Sequence, residues 1–331
     1  MRWRFALFRV AVASSLALLS AGLVSALASK PVLHVVLAGF GSVAVFYAVV
    51  FVAYVSSLGG GRGCSSGFSV LQLALYASSL LVSWPRPALS LYSVGVLAGL
   101  AAVLCVLPST LSGPGARIVV PLLLSYLGGV AASIVLLGKT LPLVELVIVL
   151  LNAPILASAY SINLYSLYQT YRLGGLLYSA VAVVGAHSLG VIAYASTGDQ
   201  RLMGLAAAAY AALVVRGVLA SRPRSPAHKY FVRGQYLVAL FSLGYAIALL
   251  QHYDVVKLAH ILSMGLIASH IYIHAPLMLP PMMGLRHARR YWSIPYILLA
   301  ASLAARLADA GLFAAVLFAC SLASMIYVFT P

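Results

Sequence analysis

Three histidines, His260, His270 and His274, stand inside one apolar stretch, LAHILSMGLIASHIYIHAPLMLPPMMGLRHARRY (258–291), of a chain with eight histidines and four acidic residues in all. Imidazole is a common metal ligand, and an ionisable group inside an apolar segment is costly enough to point to function. His34 opens a second such segment, HVVLAGFGSVAVFYAV, whose counterpart HILSMGLIASHIYIHA opens at His260. Each histidine is followed, after four residues, by a glycine, Gly39 or Gly265, and preceded within four residues by a lysine, Lys30 or Lys257. Both imidazoles are therefore expected about one helical turn below the same interface. Two histidines from different helices at one depth can clamp a haem iron axially, and a nearby glycine lets a flat macrocycle approach the backbone. The plainer alternative is a pair of interfacial histidines bonded to neighbours or to headgroup water.

His270 and His274 lie deeper. At 100° per residue they fall about 80° and 40° from His260, which places all three on one helix face. Along the axis they stand about 15 and 21 Å below it at 1.5 Å per residue, too far to share one centre. One face would then serve an outer site at His260 and an inner one at His270 and His274. His187, in VVGAHSLGVIAY, either joins that inner pair on a metal or bonds a facing helix. His228 and His287 fall in basic loops and read as solvated, and His252 reads as a rim group beside Tyr253 and Asp254.

The elements that must hold these residues are membrane helices. The chain of 331 residues is 63% hydrophobic and 7% charged, far from the roughly 45–50% and 25% of soluble domains. Twenty Lys and Arg against four acids suggest nucleic acid in a soluble chain. Here they stand singly between apolar runs or in the clusters SRPRSPAHKYFVR and GLRHARRY, which argues against nucleic acid. Gly, Pro and charge divide the chain into twelve apolar runs, near 8–28, 32–56, 67–84, 88–107, 117–137, 141–160, 175–195, 202–220, 236–251, 256–278, 292–310 and 312–329. The expected architecture is thus an all-α polytopic bundle of about twelve spans, one integral membrane domain over 1–331. With both termini cytoplasmic, Arg2, Arg4, Arg9, Arg62, Arg117, Arg172, Arg222, Arg224, Lys229, Arg233, Arg286, Arg289 and Arg290 collect inside against Lys30, Arg86, Lys139, Arg201 and Lys257 outside, where all four acids also fall; this excess of inner cations obeys the positive-inside rule. The start, RWRFALFR before an apolar run and ALAS, resembles a signal peptide, but its run exceeds an ordinary hydrophobic region and reads as a retained span.

Other residues carry weaker signals. Arg306 and Asp309, three apart, read as an intrahelical pair, with contact to a haem propionate the alternative for Arg306. Tyr160, Tyr165, Tyr168 and Tyr171 with Arg172 read as an interfacial aromatic belt, and Asn152 and Asn163 as interhelical glue. Pro276, Pro280 and Pro281 are expected to distort or end the tenth helix beside His274, opening a cavity. Cys64, Cys105 and Cys320 show no metal or covalent-haem spacing.

The segment SHIYIHAPLMLPPMMGLRHARRYWSIPYILLAASLAARLADAG, together with the early His34-to-Phe40 motif, resembles the NnrS family of haem-containing, twelve-span membrane proteins, distantly akin to haem-copper oxidase subunit I. About a fifth of the chain carries the likeness. It implies haem b, one or two, with His34 and His260 as ligands, and His274, perhaps with His270, at a second haem or copper site. The chain lacks a His-Pro-Glu segment and an adjacent histidine pair in its seventh span, which speaks against copper and against a terminal oxidase. The expected function is electron transfer or the handling of a diatomic ligand such as nitric oxide in the plasma membrane, with quinol or a redox protein as partner. The contrasting readings are a cofactor-free transporter and a structural anchor subunit of a respiratory complex.

Overall fold

A computed structural model describes residues 2–58, 62–111, 115–171, 175–223, 225–282 and 291–329. Arg172, Arg224, Arg286, His287, Arg289 and Arg290 lie outside the described residues. Among the described residues there is no strand, and the helices join into twelve rods. They are α1 (Arg2–Leu27), α2 (31–57), α3 (Arg62–Ser79), α4 (Arg86–Thr110), α5 (Ala116–Leu137), α6 (143–171), α7 (Leu176–Thr197), α8 (Arg201–Leu219), α9 (Pro226–Leu250), α10 (255–282), α11 (Ile294–Leu307) and α12 (Gly311–Phe329). Ten of them contain stretches long and apolar enough to cross a membrane. The two others are α3 and α11, the latter apolar but only 14 residues long. This is a multi-pass membrane protein whose described residues form helices and no strand. Nothing but a helix can satisfy every backbone group internally along such a run.

Three rods are interrupted by π-helical turns: Val35–Gly41 in α2, Leu151–Leu156 in α6 and Ile261–Ile267 in α10. They recur every fourth rod. The rod before each one crosses it closely. A Cβ built on Gly22 would lie 2.5 Å from Ala38, one on Gly129 3.2 Å from Pro154, and one on Gly265 3.4 Å from the Phe241 ring. In α6 the interruption is a true break, with Ala153 extended (φ −135°, ψ 121°).

Prolines inside rods are tolerated because side chains take up the carbonyls they release. Pro276 has no N–H for the carbonyl of Tyr272, and the Tyr230 hydroxyl donates to that oxygen at 2.9 Å. The Tyr92 hydroxyl donates likewise to Leu150, four residues before Pro154, at 2.8 Å. The tenth rod therefore continues through Pro276 and Pro280 to Met282 instead of breaking beside His274.

The chain divides into two compact units, one of Val10–Ser166 with Gly175–Ala206, the other of Met1–Arg9, Leu167–Gly174 and Ala207–Pro331. In the first, a disulfide joins Cys64 at the start of α3 to Cys105 near the end of α4, Cα atoms 6.0 Å apart. Antiparallel neighbours bring these ends together, a pairing without any signature in the cysteine spacing.

Candidate functional site

His34, in the first unit, is the last α-helical residue of α2 before its π turn. Its Nδ1 lies 3.0 Å from the carbonyl oxygen of Gly22 on α1. A carbonyl only accepts, so Nδ1 carries the proton and Nε2 is the basic nitrogen. His260, in the second unit, occupies the same place in α10, immediately before Ile261–Ile267. Its Nδ1 donates to the Val256 carbonyl at 2.7 Å, and its Nε2 accepts from Arg306 Nε at 3.1 Å. Both half-buried imidazoles are thus held in one tautomer by a backbone carbonyl, the arrangement that orients a histidine for metal ligation through Nε2.

The paired glycines differ. Nothing lies within 4 Å of a Cβ built on Gly39, so open space borders the backbone there. At Gly265 the Leu303 side chain would lie 2.9 Å away, and that glycine serves close packing of α10 within its unit.

The three histidines of α10 do not share a face. His260 meets Arg306 of α11. His270 Nε2 lies 2.7 Å from the Tyr210 hydroxyl of α8, and the His274 ring packs edge-on to Phe231 of α9, centroids 5.7 Å apart. A π turn advances the chain less per residue than 100°, so seven such residues between His260 and His270 undo the straight-helix count. His270 Nδ1 donates to Leu266 at 2.7 Å, so its Nε2 must accept from the Tyr210 phenol, and both ring nitrogens are engaged.

Two other expectations also change. Arg306 does not pair with Asp309. α11 ends at Leu307 and Asp309 turns to φ +60°, which takes its carboxylate off the helix face and onto Lys257 at 3.0 Å. Tyr160 is no belt residue but is fully buried, its ring edge-on to His187 at 5.1 Å. His187, fully buried in the first unit, lies against the backbone of Asn152 on α6, as an interhelical histidine is expected to. Asn152 turns its amide to the Ile148 carbonyl of its own rod at 2.7 Å.

A buried polar cluster in the first unit had no sequence signal beyond the one glutamine of the third apolar run. Gln72 Nε2 donates to the hydroxyls of Tyr126 at 2.8 Å and Tyr76 at 3.1 Å, and the Tyr47 and Tyr126 hydroxyls lie 3.0 Å apart. The Tyr126 ring fits because residue 99 is glycine, whose Cβ would stand 2.1 Å from it.

No three His, Cys, Asp or Glu side chains converge as a metal site among the described residues. Compared with known proteins, the chain matches no family model, no curated protein and no solved structure. What the site does must therefore be argued from its own residues. The donor set suits an iron held by imidazole inside a macrocycle, which needs one or two histidines rather than a cage of four.

Proposed function

We propose that the chain is a twelve-span protein of the plasma membrane that binds haem b, with His34 in the first unit and His260 in the second each a candidate axial ligand. It would use the haem for electron transfer or for holding a small diatomic ligand of the nitric oxide kind, with quinol or a redox protein as electron partner. The observation that carries this reading is the recurrence, in α2 and α10, of a histidine at the mouth of a π turn with Nδ1 fixed on a carbonyl. Two such residues in one chain share a structural context as well as a short sequence pattern. Haem, when bound, supplies the redox couple, and where only one histidine ligates it, an open position for a diatomic ligand. The chain's own part is to present Nε2 of each histidine and, at Gly39, space beside the backbone. In this reading His274, alone or with His270 four residues before it, is the inner candidate for a second centre. An absorption spectrum of protein purified after haem-replete expression tests the proposal. A Soret band that sharpens on dithionite reduction is expected, and a chain purified without one is not a haem protein.

One observation favours a second reading, a cofactor-free transporter. The rod α6 is broken at Ala153, and His187 is buried against the backbone of Asn152, one residue before that break. Broken helices beside buried polar groups are where carriers hold substrates. Haem-free protein that catalyses solute uptake into proteoliposomes, and loses uptake on His187→Phe, would establish that reading instead.

A further inference from the structure

The second unit is polarised along its rods. At one end, where α10 starts and α11 finishes, Asp254 accepts from the backbone N–H groups of Val256 and Lys257, and Lys257 pairs with Asp309 at 3.0 Å. At the other end α8 finishes, α9 and α11 begin and α12 finishes. Two links bring these ends together: the Arg233 guanidinium donating to Ser293 Oγ at 3.2 Å, and the Trp292 ring against Tyr327 at 5.4 Å.

At that second end Arg216, Arg222, Lys229 and Arg233 are all exposed, and none of the four acids of the chain is there. Glu145 belongs to the first unit, Asp254 and Asp309 to the opposite end, and Asp199 precedes α8. At 1.5 Å per residue Asp199 is about 25 Å from Arg216. Lys229 and Arg233 are four residues apart on α9 and share a face. Among the described residues none of these cations forms an ion pair with a carboxylate, and both acids of their own unit lie at its opposite end, so the surface carries an excess of positive charge. At the end of rods that cross a bilayer, the anion at hand is lipid phosphate.

The surroundings are amphipathic. Trp292 and Tyr327 are 46% and 42% exposed, as rings at headgroup depth would be, and Leu219 at the end of α8 and Ile297 in the first turn of α11 are exposed as well. A phosphate ion would use the cations alone, whereas a phospholipid uses cations, rings and apolar flank together. We infer that this end of the second unit is a binding surface for anionic phospholipid, with Arg222, Lys229 and Arg233 on the headgroup and Trp292 at its depth. The inference does not depend on haem. A general excess of inner positive charge orients a membrane protein without selecting a lipid; the surface proposed here selects one.

The test is quenching of Trp292 fluorescence in phosphatidylcholine vesicles containing a small fraction of brominated lipid, read as the quenching that disappears in Trp292→Phe. Brominated phosphatidylglycerol should reach half-quenching at a mole fraction at least about tenfold lower than brominated phosphatidylcholine. The substitutions R222Q, K229Q and R233Q together should remove that preference while far-ultraviolet circular dichroism keeps its helical signal. Should the triple variant unfold, K229Q alone must still reduce the preference about threefold. Equal quenching by the two lipids, a preference that survives the substitutions, or its abolition by millimolar inorganic phosphate would each overturn the inference.

Discussion

Arg306 donates its Nε hydrogen to Nε2 of His260 at 3.1 Å, the nitrogen that would bind iron. An arginine is always a donor, so His260 is held with a lone pair at Nε2 and a guanidinium in front of it. Iron at His260 must displace a charge-assisted hydrogen bond worth about 1.5–3 kcal/mol. Arg306→Met should therefore raise the apparent affinity of the haem-depleted protein for ferric haem about tenfold, measured by Soret titration. A weaker affinity would instead make Arg306 a contact to a haem carboxylate.

Tyr230 and Pro276 form a compensating pair through the Tyr272 carbonyl. Tyr230→Phe leaves that oxygen buried without its side-chain donor and should cost about 1–3 kcal/mol. Pro276→Ala restores a backbone N–H four residues on, so the double variant should recover most of the loss. Denaturation midpoints in detergent, compared across the four proteins, check this, and strictly additive effects would refute the pairing.

Gly99 and Gly234 hold close crossings. A Cβ at 99 would stand 2.1 Å from the Tyr126 ring, and one at 234 would stand 2.0 Å from Ile273. Gly99→Ala and Gly234→Ala should each destabilise by about 1–3 kcal/mol through overpacking. Gly244→Ala, where nothing lies within 4 Å, should be neutral or slightly stabilising. Thermal midpoints of the three variants give the comparison.

The Cys64–Cys105 bond closes a sequence separation of 41 residues, which corresponds to about 4 kcal/mol on the chain-entropy estimate. Reduction, or Cys64→Ser with Cys105→Ser, should lower the thermal midpoint without changing helical content. An unchanged midpoint would show that the bond adds nothing to the packing of α3 against α4.

The rods were legible in the sequence because Gly, Pro and charge interrupt the apolar runs where helices end. Boundaries moved where amphipathic ends extend a rod, as at Pro226, ten residues before the expected start of the ninth run. The H-x4-G echo marked the right places, but the π turns after His34 and His260 depend on backbone bonds that no residue type specifies. The same turns defeated the one-face expectation for His260, His270 and His274. Partners distant in sequence were invisible: Gln72 meets Tyr126 54 positions away, and His270 meets Tyr210 60 positions away. The Arg306–Asp309 spacing suited a helix, but the helix stopped between the two residues.

The most direct measurement of the central claim is the reduced-minus-oxidised absorption spectrum of wild type beside His34→Ala, His260→Ala and, as a control at the start of α9, His228→Ala. Haem held by His34 and by His260 predicts a b-type spectrum in wild type and His228→Ala, diminished in each of the other two variants while their helical content is retained. A wild-type spectrum in either His34→Ala or His260→Ala, or the absence of haem from all four proteins, would contradict it.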